Sequence, residues 1–251
     1  MKKILCLLSA VAFVFASCSK DDSSDSASSI LVKKITEFEN GSPIIRTVQY
    51  NGNKVVSMTE EDGSQRKFTY IGNQIAKIEE FDVDGLPDGS IVYGYTNGLM
   101  TSYVEKYDDL YNHKTKYTHN NDGTVSYEQF KVNIETGIEE KYGQTGTLTF
   151  RDGNLIKAER SSSNFTSVEV YEYDAKNSPL KNIVGWNLLL DDESANNNIT
   201  QRTYTSGSGD NIHIDITTYT YKYDANGYPT ERVTKFPNGD SFETETVEYE
   251  Y

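Results

Sequence analysis

The sequence predicts an all-β protein: an antiparallel meander of successive Tyr-rich hairpins forming an extended twisted or spiralled sheet, with one short helical insertion near residues 178–190. Two observations carry this, aromatic residues that alternate with polar ones and Gly/Asn/Asp turns that recur along the chain. The clearest copy runs from Tyr219 to Thr230. Tyr219, Tyr221 and Tyr223 alternate with Thr220 and Lys222, which in an extended chain places three phenol rings on one face. Asn226-Gly227 then supplies two residues that tolerate positive φ, as a tight hairpin turn requires.

Composition narrows the class further. The chain has 251 residues, of which 36% are apolar, with 19 Tyr against 10 Phe and 1 Trp. Tyrosine joins a large apolar ring to a wet end, so thin layers with water near both faces are expected rather than a thick dry core. A net charge of −14 argues against nucleic acid or anionic headgroups as partners through a basic patch. Lys and Arg are scattered, and no run of them occurs.

The N-terminus reads as a leader. Lys2 and Lys3 precede an apolar run from Ile4 to Phe15, and Phe15-Ala16-Ser17-Cys18 closes it with small residues and a cysteine. Twelve residues at about 1.5 Å each cover about 18 Å, short of a hydrocarbon core of about 30 Å. The run resembles the lipobox of bacterial lipoproteins, although Phe15 stands where Leu is usual. The resemblance implies that residues 1–17 are removed and that Cys18 is lipidated, so that its acyl groups attach the protein to a lipid membrane. An ordinary leader with an incidental Cys18 is the alternative. Residues 18–29 hold no apolar side chain larger than Ala27 and read as a disordered acidic, Ser-rich tether. Lys20-Asp21-Asp22 resembles the export signal of surface lipoproteins in Bacteroidota, which implies an outer-membrane location with cell-surface exposure.

From Ile30 to Tyr251 the repeat sets the organisation of a single domain. An aromatic strand end followed by a turn occurs at Tyr50-Asn51-Gly52-Asn53, Tyr70-Ile71-Gly72-Asn73, Tyr95-Thr96-Asn97-Gly98, His119 to Gly123, Phe150 to Asn154, Tyr173 to Asn177 and Tyr223 to Gly227. Second turns such as Glu61-Asp62-Gly63-Ser64 and Pro237-Asn238-Gly239-Asp240 send the chain back. A reversal roughly every 10 to 12 residues is the spacing of a meander. The pattern, best in Tyr221-Lys222-Tyr223-Asp224-Ala225-Asn226-Gly227, resembles the YD-type repeats of Rhs proteins and the repeat-bearing lipoproteins of unknown function in Bacteroidota. That resemblance implies architecture and no activity; about eight units are too few to build an enclosing Rhs shell.

The last gap in the repeat is doubled, and residues 178–212 are read as its insertion. Ser178 is an N-cap candidate and Pro179 suits a first helical position. Leu180, Ile183, Val184 and Leu188 share one helical face. Trp186 lies here, either as part of a hydrophobic plug on the sheet or as a stacking platform in a binding lid.

No catalytic constellation is present. His113, His119 and His213 form no pair at metal-ligand spacing, and neither a nucleophile elbow nor a phosphate loop occurs. No cofactor or metal is expected, and the chain is not read as an enzyme. Acids are so numerous that any glycosidase pair is arbitrary, and a polysaccharide-active enzyme ranks third. The expected function is a noncatalytic envelope lipoprotein whose Tyr-rich sheet binds a glycan or a protein, with Trp186, Tyr219, Tyr221 and Tyr223 as stacking candidates. A structural or accessory lipoprotein without a small ligand is the alternative.

Overall fold

The computed structural model describes residues 29–251 apart from 40, 164, 209, 210 and 240. The expected leader, Cys18 and all of the tether but Ser29 lie outside the described residues. The chain starts with β1 (Lys34–Glu39) and then runs through seven hairpins whose turns share one end. They are β2 (Ser42–Asn51) with β3 (Lys54–Glu60), β4 (Gln65–Ile71) with β5 (Gln74–Phe81), and β6 (Pro87–Thr96) with β7 (Leu99–Lys106). Next come β8 (Tyr111–His119) with β9 (Thr124–Asn133), β10 (Glu139–Arg151) with β11 (Asn154–Ser162), and β12 (Phe165–Asn177) with β13 (Asn197–Ser208). The seventh is β14 (Asn211–Tyr223) with β15 (Pro229–Asn238), and β16 (Ser241–Glu250) ends the chain.

Each strand pairs with its sequence neighbours, and β1 pairs with β16 from Lys34↔Glu250 to Phe38↔Thr246. The meander is therefore a closed sixteen-stranded barrel. This corrects the expectation of an open or spiralled sheet, and the repeat itself supplies the reason. The register slips beside the hairpin turn at Gln49/Tyr50, Thr69/Tyr70, Gly94/Tyr95, Thr149/Phe150 and Lys222/Tyr223 and at the matching level, before the plug, at Glu172/Tyr173. Other slips, at Glu80/Phe81 and Lys141/Thr145, lie farther along the wall. A bulge bends its strand and adds twist. Repeated around the sheet at one level, the bends curl it until its edges meet. The turns agree: Asn97-Gly98 has φ of 52° and 84° and Asp152-Gly153 of 54° and 78°, as a two-residue type I′ hairpin needs.

The repeated aromatic has a specific task. Between hairpins the ladder stops short of the turn end, at Lys77↔Val92 for β5 and β6 and at Lys157↔Val170 for β11 and β12. A tyrosine hydroxyl then reaches across the gap to a main-chain carbonyl. Tyr95 donates to Ile75 at 2.9 Å, Tyr173 to Leu155 at 2.7 Å, Tyr50 to Val32 at 2.7 Å, Tyr221 to Ile199 at 2.8 Å and Tyr251 to Pro229 at 3.0 Å. The ring of His119 meets the carbonyl of Met100 in the same way at 2.8 Å. Between β9 and β10 the ladder continues to Thr124↔Thr149, and the aromatic there is Phe150, which has no hydroxyl. Tyr70 is the exception, its hydroxyl buried without a partner. Tyr173→Phe is accordingly expected to cost about 1–2 kcal/mol by orphaning a buried carbonyl. Urea denaturation measures this, and an unchanged midpoint would refute the sealing role.

The two faces of the wall differ in chemistry. Directly opposed residues share a face, so the inner face carries Val48 opposite Met58, Met58 opposite Arg66, and Phe68 opposite Ile78. The outer face carries Thr47, Thr59, Ser57, Lys67, Lys77 and Glu79. Ion pairs decorate it, Lys34–Glu250 and Lys222–Glu231 at 2.7 Å and Lys157–Glu159 at 2.8 Å. A membrane-spanning barrel needs an apolar outer band, and Lys at mid-membrane costs about 2–4 kcal/mol. The outer wall carries Val56, Val170, Ile212, Ile214, Ile216 and Phe242 exposed among its Thr, Lys and Glu residues, so apolar and charged side chains are interspersed there and no unbroken apolar band forms. Inside, the apolar clusters sit at the plug end and arginine–carboxylate pairs line the rest. Among the described residues no helix is long and apolar enough to cross a membrane.

Residues 178–196 leave the wall after β12 and close the turn end of the barrel as a plug. The expected helix over 178–190 is reduced to one 3-10 turn, Trp186–Leu188. Gly185 explains why: its φ is 80°, and a Cβ there would lie 2.6 Å from the carbonyl oxygen of Asn73. The backbone turns tightly against the hairpin loops rather than coiling on itself. Ile183, Trp186 and Leu189 are the residues buried, a period of three in place of the helical face through Val184 and Leu188. They join Val55, Phe68, Ile75 and Met100 in the main apolar cluster. Leu190 reaches the second cluster, around Leu148, Leu155 and Tyr171.

Candidate functional site

Hydrogen bonds to hairpin turns hold the plug. The amide of Val184 donates to the Asn53 carbonyl at 2.9 Å, and the Asn182 side chain donates to the Ile30 carbonyl at 2.8 Å. At the other end, Asn154 Oδ1 accepts the amides of Asn196 and Asn197 at 2.9 and 3.1 Å. So fixed, the plug lifts Asp191, Asp192 and Glu193 into the lumen. Ser194 supports this turn, its amide donating to Asp191 Oδ1 and its hydroxyl to the Leu189 carbonyl.

Asp191 and Glu193 are accessible to water, yet the barrel wall encloses them. Both hold because the water that touches them is inside the barrel. Enclosure and the neighbouring Glu193 push Asp191 up to about 7. Enclosure raises Asp192 and Glu193 as well, opposed in part by arginines on the surrounding wall. Four of those guanidiniums are held by wall carboxylates: Arg46–Glu60 and Arg160–Glu169 at 2.6 Å, Arg66–Glu80 at 2.8 Å and Arg232–Glu245 at 3.0 Å. Arg202 has no ion-pair partner among the described residues, and its Nε is buried without a hydrogen bond.

A cavity of about 370 Å³ lies between the plug acids and the wall of β1, β2 and β13 to β16. Its lining includes Glu37, Arg46, Asp192, Glu193, Tyr219, Tyr221, Arg232, Glu245 and Tyr249. The size suits a small molecule. Tyr249 is 8% exposed, and its hydroxyl has no hydrogen-bond partner among the described residues, although Glu37, Glu193, Glu245 and Arg232 surround it. Nearby, Thr234 is 6% exposed and its buried hydroxyl is also unpartnered. The Thr234 hydroxyl and, on the cavity wall, Arg232 Nε are buried without a partner and cost stability, whereas the Tyr249 oxygen is open to lumen water. A second cavity of about 180 Å³ lies above Arg46, Glu60, Arg66 and Glu80. Among the described residues no three His, Cys, Asp or Glu side chains gather as a metal-ligand set.

The residues expected from the sequence divide. Tyr219 and Tyr221 line the cavity. Tyr223 stands below it, stacked on Tyr221 with centroids 5.8 Å apart and hydrogen-bonded to Asp174. All three rings face the lumen, because the strand closes into a barrel with the Tyr row inside. Trp186 is not a stacking platform: it is 8% exposed, packs against Phe68 at 6.2 Å between centroids, and donates from Nε1 to the Glu193 carbonyl at 3.2 Å. Glu37, Asp192, Glu193, Arg232 and Tyr249 were missed. For Glu37, Arg232 and Tyr249 the only sequence signal was inward parity on strands whose closure was not foreseen; Asp192 and Glu193 lie in the loop of the plug, where no periodicity marks them.

No family model matches the chain, and no curated protein matches it. Among solved structures, the chain is similar to a porin-like protein from Bacteroides uniformis at 15% identity and a TM-score of 0.53, with 87% of this chain and 97% of that one covered. The likeness is one of fold, an antiparallel β-barrel.

Proposed function

We propose that this chain is a noncatalytic outer-membrane lipoprotein whose plugged, water-standing barrel holds a small ligand in its lumen. The observation that carries the proposal is the water-reached lumenal cavity of about 370 Å³, lined by Glu37, Asp192 and Glu193, none of them ion-paired among the described residues, and by Tyr249, whose ring is buried and whose hydroxyl no described residue pairs. The location draws on the lipobox-like run ending at Cys18 and on the Bacteroides porin-like fold neighbour. The outer wall, without an unbroken apolar band, favours attachment through acyl groups on Cys18 over insertion of the barrel. Ile30 is tied to the plug, so the tether leaves from the closed end and the mouth points away from the membrane. This is also the orientation a surface receptor needs. A cavity of this size accepts a sugar unit or a metabolite and excludes a folded protein partner.

The test is a thermal-shift screen of residues 19–251, which contain every strand and the plug, against sugars, amino sugars, amines and small metabolites. Ligand at 100 times its Kd adds about 2.7 kcal/mol, which for a chain of this size raises Tm by roughly 5–10 °C. Tyr249→Phe should keep its own Tm and lose most of that rise. A wild-type barrel that no compound stabilises would overturn the proposal.

A further inference from the structure

We infer that the lumenal cavity takes a small organic cation carrying primary ammonium groups, a polyamine or an amino sugar, with Glu37, Asp192 and Glu193 receiving the ammonium. The inference rests on the reading of the lumen as a ligand site and names the chemistry that fits it. Charge decides the class. The cavity lining carries four carboxylates, Glu37, Asp192, Glu193 and Glu245, against the guanidiniums of Arg46 and Arg232.

Both guanidiniums hold a carboxylate, Arg46 that of Glu60 at 2.6 Å and Arg232, through one terminal nitrogen, that of Glu245 at 3.0 Å, leaving Arg232 Nε buried without a partner. Glu37, Asp192 and Glu193 make no ion pair among the described residues. Arg66, Arg160 and Arg202 act on the plug acids from farther round the wall without touching them. The lumen therefore holds an excess of uncompensated negative charge in a place that bulk water and salt screen poorly. An anionic ligand in this cavity would face three unpaired carboxylates while both lining guanidiniums already hold one, and the unpaired Arg202 lies outside the lining. A neutral sugar would leave the carboxylates unpaired. An ammonium group donates three hydrogen bonds to acceptor-only carboxylates, and the rings of Tyr219 and Tyr221 offer faces that attract cations. The Tyr249 hydroxyl completes the set as a donor or acceptor to a neighbouring ligand atom.

Calorimetric titration of residues 19–251 at pH 7.5 and 150 mM salt would use spermidine, glucosamine and N-acetylglucosamine, the last being glucosamine without its charge. At least one ammonium probe should bind at a single site, at least tenfold tighter than N-acetylglucosamine. Glu193→Gln should weaken it by about tenfold or more while its melting curve shows a folded barrel. Glu128→Gln, on the outer wall beside Lys141, should leave it unchanged, which separates a site from general attraction to an acidic protein. Equal binding of the acetylated sugar, or indifference to Glu193→Gln, would overturn the cation assignment. If the thermal-shift screen yields only neutral ligands, this inference falls and the lumenal receptor stands. If neither experiment finds a ligand, both fall.

Discussion

Trp186→Ala is expected to destabilise the barrel by about 3–5 kcal/mol, the cost of truncating a buried large aromatic. For a chain of this length that is a fall in Tm of about 6–20 °C. The magnitude follows from where the side chain sits. Trp186 fills the junction between plug and wall among Val55, Phe68, Ile75 and Met100. Its indole N–H also satisfies the carbonyl of Glu193. Removing the ring opens a cavity and frees the turn that presents Asp191, Asp192 and Glu193, so ligand binding should fall together with stability. Tyr249→Phe should lose binding alone. Calorimetric melting of the two variants side by side separates a support from a contact, and a Trp186→Ala barrel that melts within about 2 °C of wild type would mean that the plug is not a structural keystone.

Asp191→Asn is expected to stabilise the protein at pH 8 by about 1–2 kcal/mol and to flatten its stability between pH 4 and 7. The folded carboxyl titrates at about 7 against 3.8 in the open chain. Below pH 4 both states hold the proton, and the group costs nothing. As pH rises the unfolded chain ionises first, so stability falls until the folded group has also ionised, above pH 7. Taken in full, a displacement of this size amounts to about 4 kcal/mol. Lumen water reaches Asp191, and solvent screening reduces the expected gain to less than half of that. Asparagine keeps an acceptor for the Ser194 amide, which lies 2.8 Å from Asp191 Oδ1. Asp192 and Glu193 are raised as well, so a shallower slope should remain. Urea midpoints at pH 5 and pH 8 measure both effects; a variant less stable than wild type at pH 8 would show that ionised Asp191 is compensated in the fold. The native carboxylate is then a group kept at a cost beside the two acids that line the cavity.

The sequence by itself determined the strands, the turns and their order. Alternation at Tyr219-Tyr221-Tyr223 and positive-φ turn residues such as Asn97-Gly98 are local signals, and a hairpin is a local structure. It also marked residues 178–190 as the place where the repeat breaks. Tertiary structure decided the rest. Whether a meander stays open or closes depends on the bend accumulated over all its bulges and on β1 meeting β16, contacts separated by more than two hundred residues. Closure turned the Tyr rows inward, and their hydroxyls became seals between hairpins. The enclosed space then overrode the helical pattern of the insertion, because Gly185 and Trp186 had to fit hairpin loops and a curved wall rather than a flat face. The cavity belongs to the same level: Glu37, Glu193 and Tyr249 are remote along the chain, and only the radius of the barrel and the depth of the plug bring them to one pocket.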